Sequence, residues 1–133
     1  MATGTMGLAA FQADAPPALM AIRILHTILW AFFVGCIVAV PVAALRGRFR
    51  LGAILSGMVL AECAVLAMNG GRCPLTDWAA RFTADRAANF DIDLPLWLAH
   101  YNKAIFGALF AAGEAVLLAC WVRSGQRGTR NRE

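Results

Sequence analysis

Several ionisable side chains lie within or beside long apolar stretches of this sequence, where such groups are costly, and five of them are candidates for function. Two of them are imidazoles, which serve as axial ligands of haem, and histidine, glutamate and cysteine together suit a transition metal. These residue types predict a haem b site, a metal site, or a pocket that moves protons or holds a substrate. The five residues are His26, Glu62, Cys73, His100 and Glu114.

A purely structural role competes with this interpretation. Neither histidine belongs to a ligand spacing such as HxxxH or CxxCH. If the histidines instead hydrogen-bond a glutamate, an asparagine or a tyrosine of a neighbouring helix, the same groups simply fix the helices to one another. A rise of about 1.5 Å per helical residue places these polar groups at one depth, near the outer ends of the helices. The predicted polar layer consists of His26, Glu62, Asn69, Cys73, His100 and Tyr101.

Glu114 is a separate buried acid, deeper in the last apolar segment and without a histidine at its level. Its side chain could bond to Ser56 or to a backbone carbonyl. It could also be protonated, because burial disfavours the charged carboxylate. A proton path from Glu114 to Glu62 is a further hypothesis.

The cysteines form no disulfide framework. Three of the four lie inside apolar segments, where a free cysteine behaves as a small apolar residue. Cys73 is left as the outward-facing thiol, and the CxxC spacing of thiol oxidoreductases is absent.

The elements that must position these groups are helices in a membrane. The chain has 133 residues, of which 60% are hydrophobic and 15% are charged, whereas soluble domains are about a quarter charged. A bilayer core of about 30 Å takes roughly 20 helical residues to cross, and three segments are long enough. They predict an all-α membrane protein with three transmembrane helices, over residues 21–45, 51–68 and, starting at 97 or 104, up to 122.

The remaining segments are expected to lie outside the bilayer. We expect an outer N-terminal leader over 1–20, an interfacial segment over 70–96 and a basic cytoplasmic tail over 123–133, around a three-span domain over 21–122. Within the interfacial segment, the aromatic and charged run "LTDWAARFTADRAANF" predicts an outer interfacial amphipathic helix with Thr76 as its N-cap.

The charges predict the orientation. Arginines crowd "RGRFR" and the C-terminal tail, while the leader has no Lys or Arg. Because cytoplasmic loops hold the excess of basic residues, the N-terminus should be outside and the C-terminus inside the bacterial inner membrane. The net charge of +4 then needs no nucleic-acid partner, and the lipid bilayer is the expected partner.

Small residues recur at helical spacing on two of the spans. Such stripes let helices approach closely in lipid, either within the bundle or against other subunits or copies. They comprise Gly57, Ala61 and Ala64 in the second span, and Ala104, Ala108 and Ala112 in the third.

One bacterial membrane family has a similar layout. The segments "RILHTILWAFFV", "LAECAVLAMNGGRCPLTDW" and "LAHYN" resemble domain of unknown function 2784 over about residues 20 to 122, and the tetrapeptide at Cys73 is the most specific element. The chain departs from that pattern at Asp77, where a proline often follows the threonine. The resemblance implies no activity, but it implies that the polar positions are used.

Two classes of function follow. The expected one is an accessory or assembly subunit of a larger respiratory or photosynthetic complex, because no complete catalytic motif is present and three spans leave little room for transport. The alternative is a free-standing membrane protein that binds haem, a metal or a small ligand through the layer of His, Glu and Cys side chains.

Overall fold

The computed structural model describes residues 16–130. This part of the chain is helical and contains no strand. Three of its helices are long and apolar enough to cross a membrane, which confirms the predicted all-α fold with three spans. The helices are α1 (Pro17–Leu45), α2 (Phe49–Met68), α3 (Pro74–Ala79) and α4 (Leu96–Arg130).

The largest differences from the predicted boundaries are at the start of α1 and the end of α4. Helix α1 begins at Pro17, because proline is well suited to the first helical turn, where its missing N–H has no partner to lose. Most of the expected leader lies outside the described residues. Helix α4 continues to Arg130, so the described part of the basic tail is helical.

Helix α1 lies at the centre of the fold. It packs along both α2 and α4 and also carries α3, whereas α2 and α4 contact each other much less. A tight turn between α1 and α2 makes these two helices antiparallel, as predicted. Gly47 has a φ of +69° in this turn, a left-handed conformation that favours glycine.

The helices approach most closely at the end of the bundle that contains this turn. A Cβ atom at Gly113 of α4 would lie 3.3 Å from Cδ of Pro41, and Gly113 is buried. On the other side, Gly52 of α2 faces Leu117 of α4, and a Cβ there would lie 2.8 Å from Leu117 Cδ1. Glycines therefore let all three spans meet at this end.

The opposite end carries the polar segment between α2 and α4. Gly70 and Gly71 end α2 with φ values of +66° and +80°, as the Gly-Gly pair predicts. Helix α3 then starts at Pro74 with Cys73 as its N-cap. The prediction of Thr76 as the N-cap is wrong, because proline at the first helical position starts the helix two residues earlier.

Helix α3 is shorter than the expected interfacial helix, and turns follow it up to Leu96. Its apolar side packs on the start of α1, where Ala79 contacts Leu19 and Ile22 in a small buried cluster. Trp78 and Phe82 are exposed, in the manner expected for aromatic side chains at a membrane interface.

The close approach at Gly113 predicts a specific sensitivity to side-chain size. Gly113→Val should lower the free energy of unfolding by about 1–3 kcal/mol, because an added side chain must push α1 and α4 apart. Gly35→Val is the matched control, since nothing lies within 4 Å of a Cβ at Gly35. Thermal midpoints in mild detergent measure both variants, and equal losses would contradict the proposed close packing.

Candidate functional site

One face of α1 carries an unusual set of polar side chains near the start of the helix. Arg23, His26, Thr27 and Trp30 recur at the spacing of one helical face. Trp30 Nε1 donates a 2.8 Å hydrogen bond to Asn102 Oδ1 of α4, and Thr27 Oγ1 accepts one of 2.9 Å from the backbone N–H of residue 93. This face therefore holds both α4 and the loop that precedes it.

The central contact of this face joins His26 to Asp91. The imidazole Nδ1 lies 3.1 Å from the carboxylate Oδ2 of Asp91 and 3.2 Å from its backbone oxygen. The Thr76 hydroxyl of α3 donates a short hydrogen bond to the same Oδ2. Asp91 is only 4% exposed, so a buried carboxylate ties α1, α3 and the loop together.

The environment of Asp91 favours its charged form. Burial by itself raises the pKa of this carboxyl group, but the hydrogen bonds from His26 and Thr76 outweigh burial and hold the pKa below its ordinary value of 3.8. Asp91 is therefore a carboxylate at neutral pH, and it can orient and charge-balance the imidazole.

Cys73 is a neighbour of His26, because both residues border the same two cavities. Cys73 reaches this position because Gly70 and Gly71 turn the chain back over the end of α1 and Pro74 starts α3 directly afterwards. In space, the Cys73 thiol, the His26 imidazole and the Asp91 carboxylate thus lie next to one another in that order.

An apolar cavity of about 240 Å³ opens beside this group, between α1, α2 and α4. The three spans meet at the end of the bundle that contains Gly113, and α2 and α4 separate towards the end that contains His26. The cavity lies in the space between them. Phe33, Val59 and Phe110 belong to its walls, while Glu62, Asn102 and Lys103 are the polar groups nearer its mouth.

A second cavity, of about 340 Å³, lies on the other side of Cys73 and His26, under the loop. Its lining is more polar and includes three cationic side chains, Arg72, Arg86 and Lys103. Lys103 Nζ hydrogen-bonds the backbone oxygen of Gly71, which fixes the start of α4 to the end of α2. The two cavities adjoin at His26 and Cys73.

The other members of the predicted polar layer are only partly brought together. His100 is exposed and borders the polar cavity, and its ring stacks edge-on against Tyr101 with centroids 4.9 Å apart. Asn69 donates to Asp77 Oδ2 at 2.8 Å. Glu62 borders the apolar cavity. The predicted alternative, in which His26 bonds to Glu62, Asn69 or Tyr101, is wrong, because the imidazole of His26 is bonded to the buried Asp91.

Glu114 lies apart from this site, as expected. It accepts a hydrogen bond from the Ser56 hydroxyl of α2, and the predicted bond between these two residues is therefore present. The contact lies near the close approach of Gly52 and Leu117 and joins α2 to α4 below the apolar cavity. The proton path from Glu114 to Glu62 stays a prediction.

The sequence did not indicate Asp91 as a member of this site. Asp91, Arg23 and Thr27 were each visible as polar residues, but no spacing along the chain connects a loop aspartate to a histidine of a distant helix. The signal that was present is the polar face of α1, since four polar or amphipathic side chains at helical spacing in an apolar span require partners.

No group of three or more His, Cys, Asp and Glu side chains within residues 16–130 converges as a metal site. A haem between His26 and His100 stays a prediction. Comparisons with protein-family models, curated proteins and solved structures give no match. The resemblance to domain of unknown function 2784 likewise stays a prediction, and the arguments below depend on the site alone.

The buried carboxylate predicts an acid-sensitive contact. Because the folded-state pKa of Asp91 is lowered, its stabilising contribution is fully present above the ordinary carboxyl pKa and is lost as the pH falls through the lower folded value. Asp91→Asn should cost about 1–3 kcal/mol of unfolding free energy at pH 7, and this difference from wild type should shrink below about pH 4.

Asp93→Asn is the matched control, since Asp93 lies in the same loop with 76% of its side chain exposed in its pair with Arg23. An exposed pair contributes less than about 1 kcal/mol. Thermal midpoints followed by tryptophan fluorescence across pH 3 to 8 measure all three proteins. A pH-independent difference between wild type and Asp91→Asn would show that the carboxylate charge does not stabilise the fold.

Proposed function

We propose that this protein is a membrane protein that binds a single anionic phospholipid, with one acyl chain in the apolar cavity and the headgroup in the polar cavity. The observation that carries the proposal is the direct junction of these two cavities at Cys73 and His26. A phospholipid has the same division, because its apolar chain and its charged headgroup meet at an ester linkage.

The walls of the apolar cavity support an acyl chain as the occupant. The side chains along it are aromatic and aliphatic, and Phe33, Phe106 and Phe110 pack against the buried residues behind it. The cavity lies between helices that are long enough to cross a membrane, so a chain that enters between them from the bilayer would not pass through water. Because the bilayer is as apolar as the cavity, dispersion contacts with the aromatic walls, and not removal from water, would hold the chain there.

The charges around the polar cavity support an anionic headgroup. Arg72, Arg86 and Lys103 border it, and the one carboxylate on its lining, Asp91, is already engaged by His26 and Thr76. Arginine suits phosphate because its planar donors form two parallel hydrogen bonds with phosphate oxygens. Arg72 is exposed and shares one contact of 3.3 Å with Asp77, so it can turn towards a ligand.

The distribution of arginines supports an orientation for this ligand site. The turn at Arg46–Arg48 and the end of α4, with Arg127 and Arg130, lie at the same end of the bundle, away from the two cavities. By the positive-inside rule that end is cytoplasmic. The site then faces the outer leaflet of the bacterial inner membrane.

An accessory or assembly role in a larger membrane complex is the second candidate. One observation favours it, namely that both stripes of small residues are exposed and do not serve the packing of the bundle. Such stripes are the surfaces on which membrane helices associate. The exposed small residues are Gly57, Ala61 and Ala64 of α2, and Ala104, Ala108 and Ala112 of α4.

Phospholipid binding predicts a defined cross-linking pattern. The chain is reconstituted in vesicles that contain a phosphatidylglycerol with a diazirine on one acyl chain, and cross-links are mapped by mass spectrometry. We expect cross-links at cavity residues such as Leu66 and Phe106. Gly107→Leu should reduce them several-fold, because Gly107 borders the cavity and a side chain there meets only open space.

Ala108→Leu is the control for this substitution, because Ala108 is exposed on the same helix and is not part of the cavity lining. It should leave the cross-linking unchanged. Cross-links spread evenly over the exposed faces, with no response to Gly107→Leu, would exclude the cavity as a lipid site.

Orientation and assembly are tested together in native membranes. Asp85→Cys places a thiol in the exposed loop and Ser124→Cys places one at the other end of α4. Intact spheroplasts treated with an impermeant biotin maleimide should label the first variant above the wild-type background and not the second. The reverse pattern would invert the proposed topology.

Capture of the labelled chain in mild detergent then tests assembly. A chain that is isolated alone would contradict the accessory role, whereas a chain isolated within a larger complex would support it.

A further inference from the structure

Three side chains at the junction of the cavities have the types and the order of a nucleophilic triad. Cys73 and His26 lie together where the two cavities adjoin, and the imidazole Nδ1 lies 3.1 Å from Asp91 Oδ2. Such triads need a nucleophile beside a base and a third group that orients the base. The three residues come from α1, the N-cap of α3 and the loop before α4, so the fold assembles the group.

The orienting carboxylate is held more firmly than a surface acid. Asp91 is buried, and the Thr76 hydroxyl donates to the same oxygen that faces the imidazole. A fixed carboxylate on Nδ1 sets the tautomer and ring direction of a histidine, and it stabilises the imidazolium that forms when the histidine accepts a proton. His26 is thereby prepared to take the proton of a thiol.

The place of Cys73 relative to the cavities defines the group it would attack. The thiol borders both the apolar cavity and the polar cavity. The proposed phospholipid has its acyl chain in the apolar cavity and its phosphate near Arg72 and Lys103 in the polar cavity. Its acyl ester then lies between the two cavities, at the position of the thiol. Other polar groups lie on the same cavity linings, but no second thiol borders both of them among the described residues.

We propose that Cys73 is an acyl-accepting nucleophile, and that with His26 as base and Asp91 as orienting group it takes an acyl chain from a phospholipid ester. The Cys73 sulfur forms a bond to the carbonyl carbon, and the bond from that carbon to the glycerol oxygen breaks. The thiol proton passes through His26 to the departing alkoxide. The products are a thioester on Cys73 and a lysophospholipid, and a second nucleophile must later consume the thioester.

This inference rests on the proposed lipid site but adds a covalent step that lipid binding alone does not require. The test uses the full chain in vesicles of dioleoyl phosphatidylglycerol and dioleoyl phosphatidylethanolamine. Mass spectrometry of the intact chain should show the addition of one oleoyl group, which neutral hydroxylamine removes because it cleaves thioesters. Lysophospholipid should appear in equal amount.

The variants separate the roles of the three residues. Cys73→Ala should carry no oleoyl group, whereas Cys120→Ala, which changes a free thiol that borders neither cavity, should be acylated like wild type. His26→Gln and Asp91→Asn should each slow acylation by a factor of about 100 or more, the usual contribution of positioned acid and base groups. Circular dichroism confirms the fold of each variant.

Three outcomes would overturn the inference. The first is a wild-type chain that carries no oleoyl group although the diazirine lipid still cross-links within the cavity, in which case the lipid site stands and the covalent step fails. The second is equal acylation in Cys73→Ala. The third is an unchanged rate in a folded Asp91→Asn variant, which would show that the thiol reacts without the triad. Loss of cavity cross-linking in wild type instead counts against the lipid site itself.

Discussion

A single buried carboxylate decides how one end of this bundle is built. Asp91 comes from a loop without regular structure, yet it is buried against α1 with His26 on one side and Thr76 on the other. Burial of a charge costs several kcal/mol unless its oxygens are paired, so the loop is stable in this position only while both partners are present. The same contact determines where Cys73 lies, because Thr76 and Cys73 belong to adjacent parts of the α3 segment.

The cavities follow from an unequal spacing of the helices. Gly52 and Gly113 let the spans meet at one end, and Ser56 is bonded to Glu114 there. Towards the other end α2 and α4 separate, while α1 and α4 stay in contact through Trp30 and Phe106, whose rings meet edge-on at 5.5 Å. Helices that touch at one end and are held apart at the other enclose a wedge, and the loop of Asp91 covers its polar side.

The side chains of Cys73, His26 and Asp91 lie near the ends of the helices, where polar groups are less costly in a membrane than at its centre. A thiol, an imidazole and a carboxylate at the bilayer centre would be costly, whereas near the helix ends water and lipid headgroups lower that cost. The ester groups of lipids also lie near the membrane surface, and the proposed lipid site rests on this match between the helix ends and the lipid ester.

The sequence by itself determined the elements and their order. Long apolar runs predicted three helices able to cross a membrane, since a segment of that length can satisfy its backbone within a bilayer only as a helix, and Gly70 and Gly71 predicted the end of α2. The start of α3 was not predicted correctly, because Pro74 begins this helix two residues before Thr76. It also identified His26 and Cys73 as unusual. The partner of His26 was decided only by the tertiary structure, because Asp91 is 65 residues away in the chain and no local rule connects them. The cavities were likewise beyond the sequence, since they depend on small differences in helix separation that arise only when all the side chains pack at once.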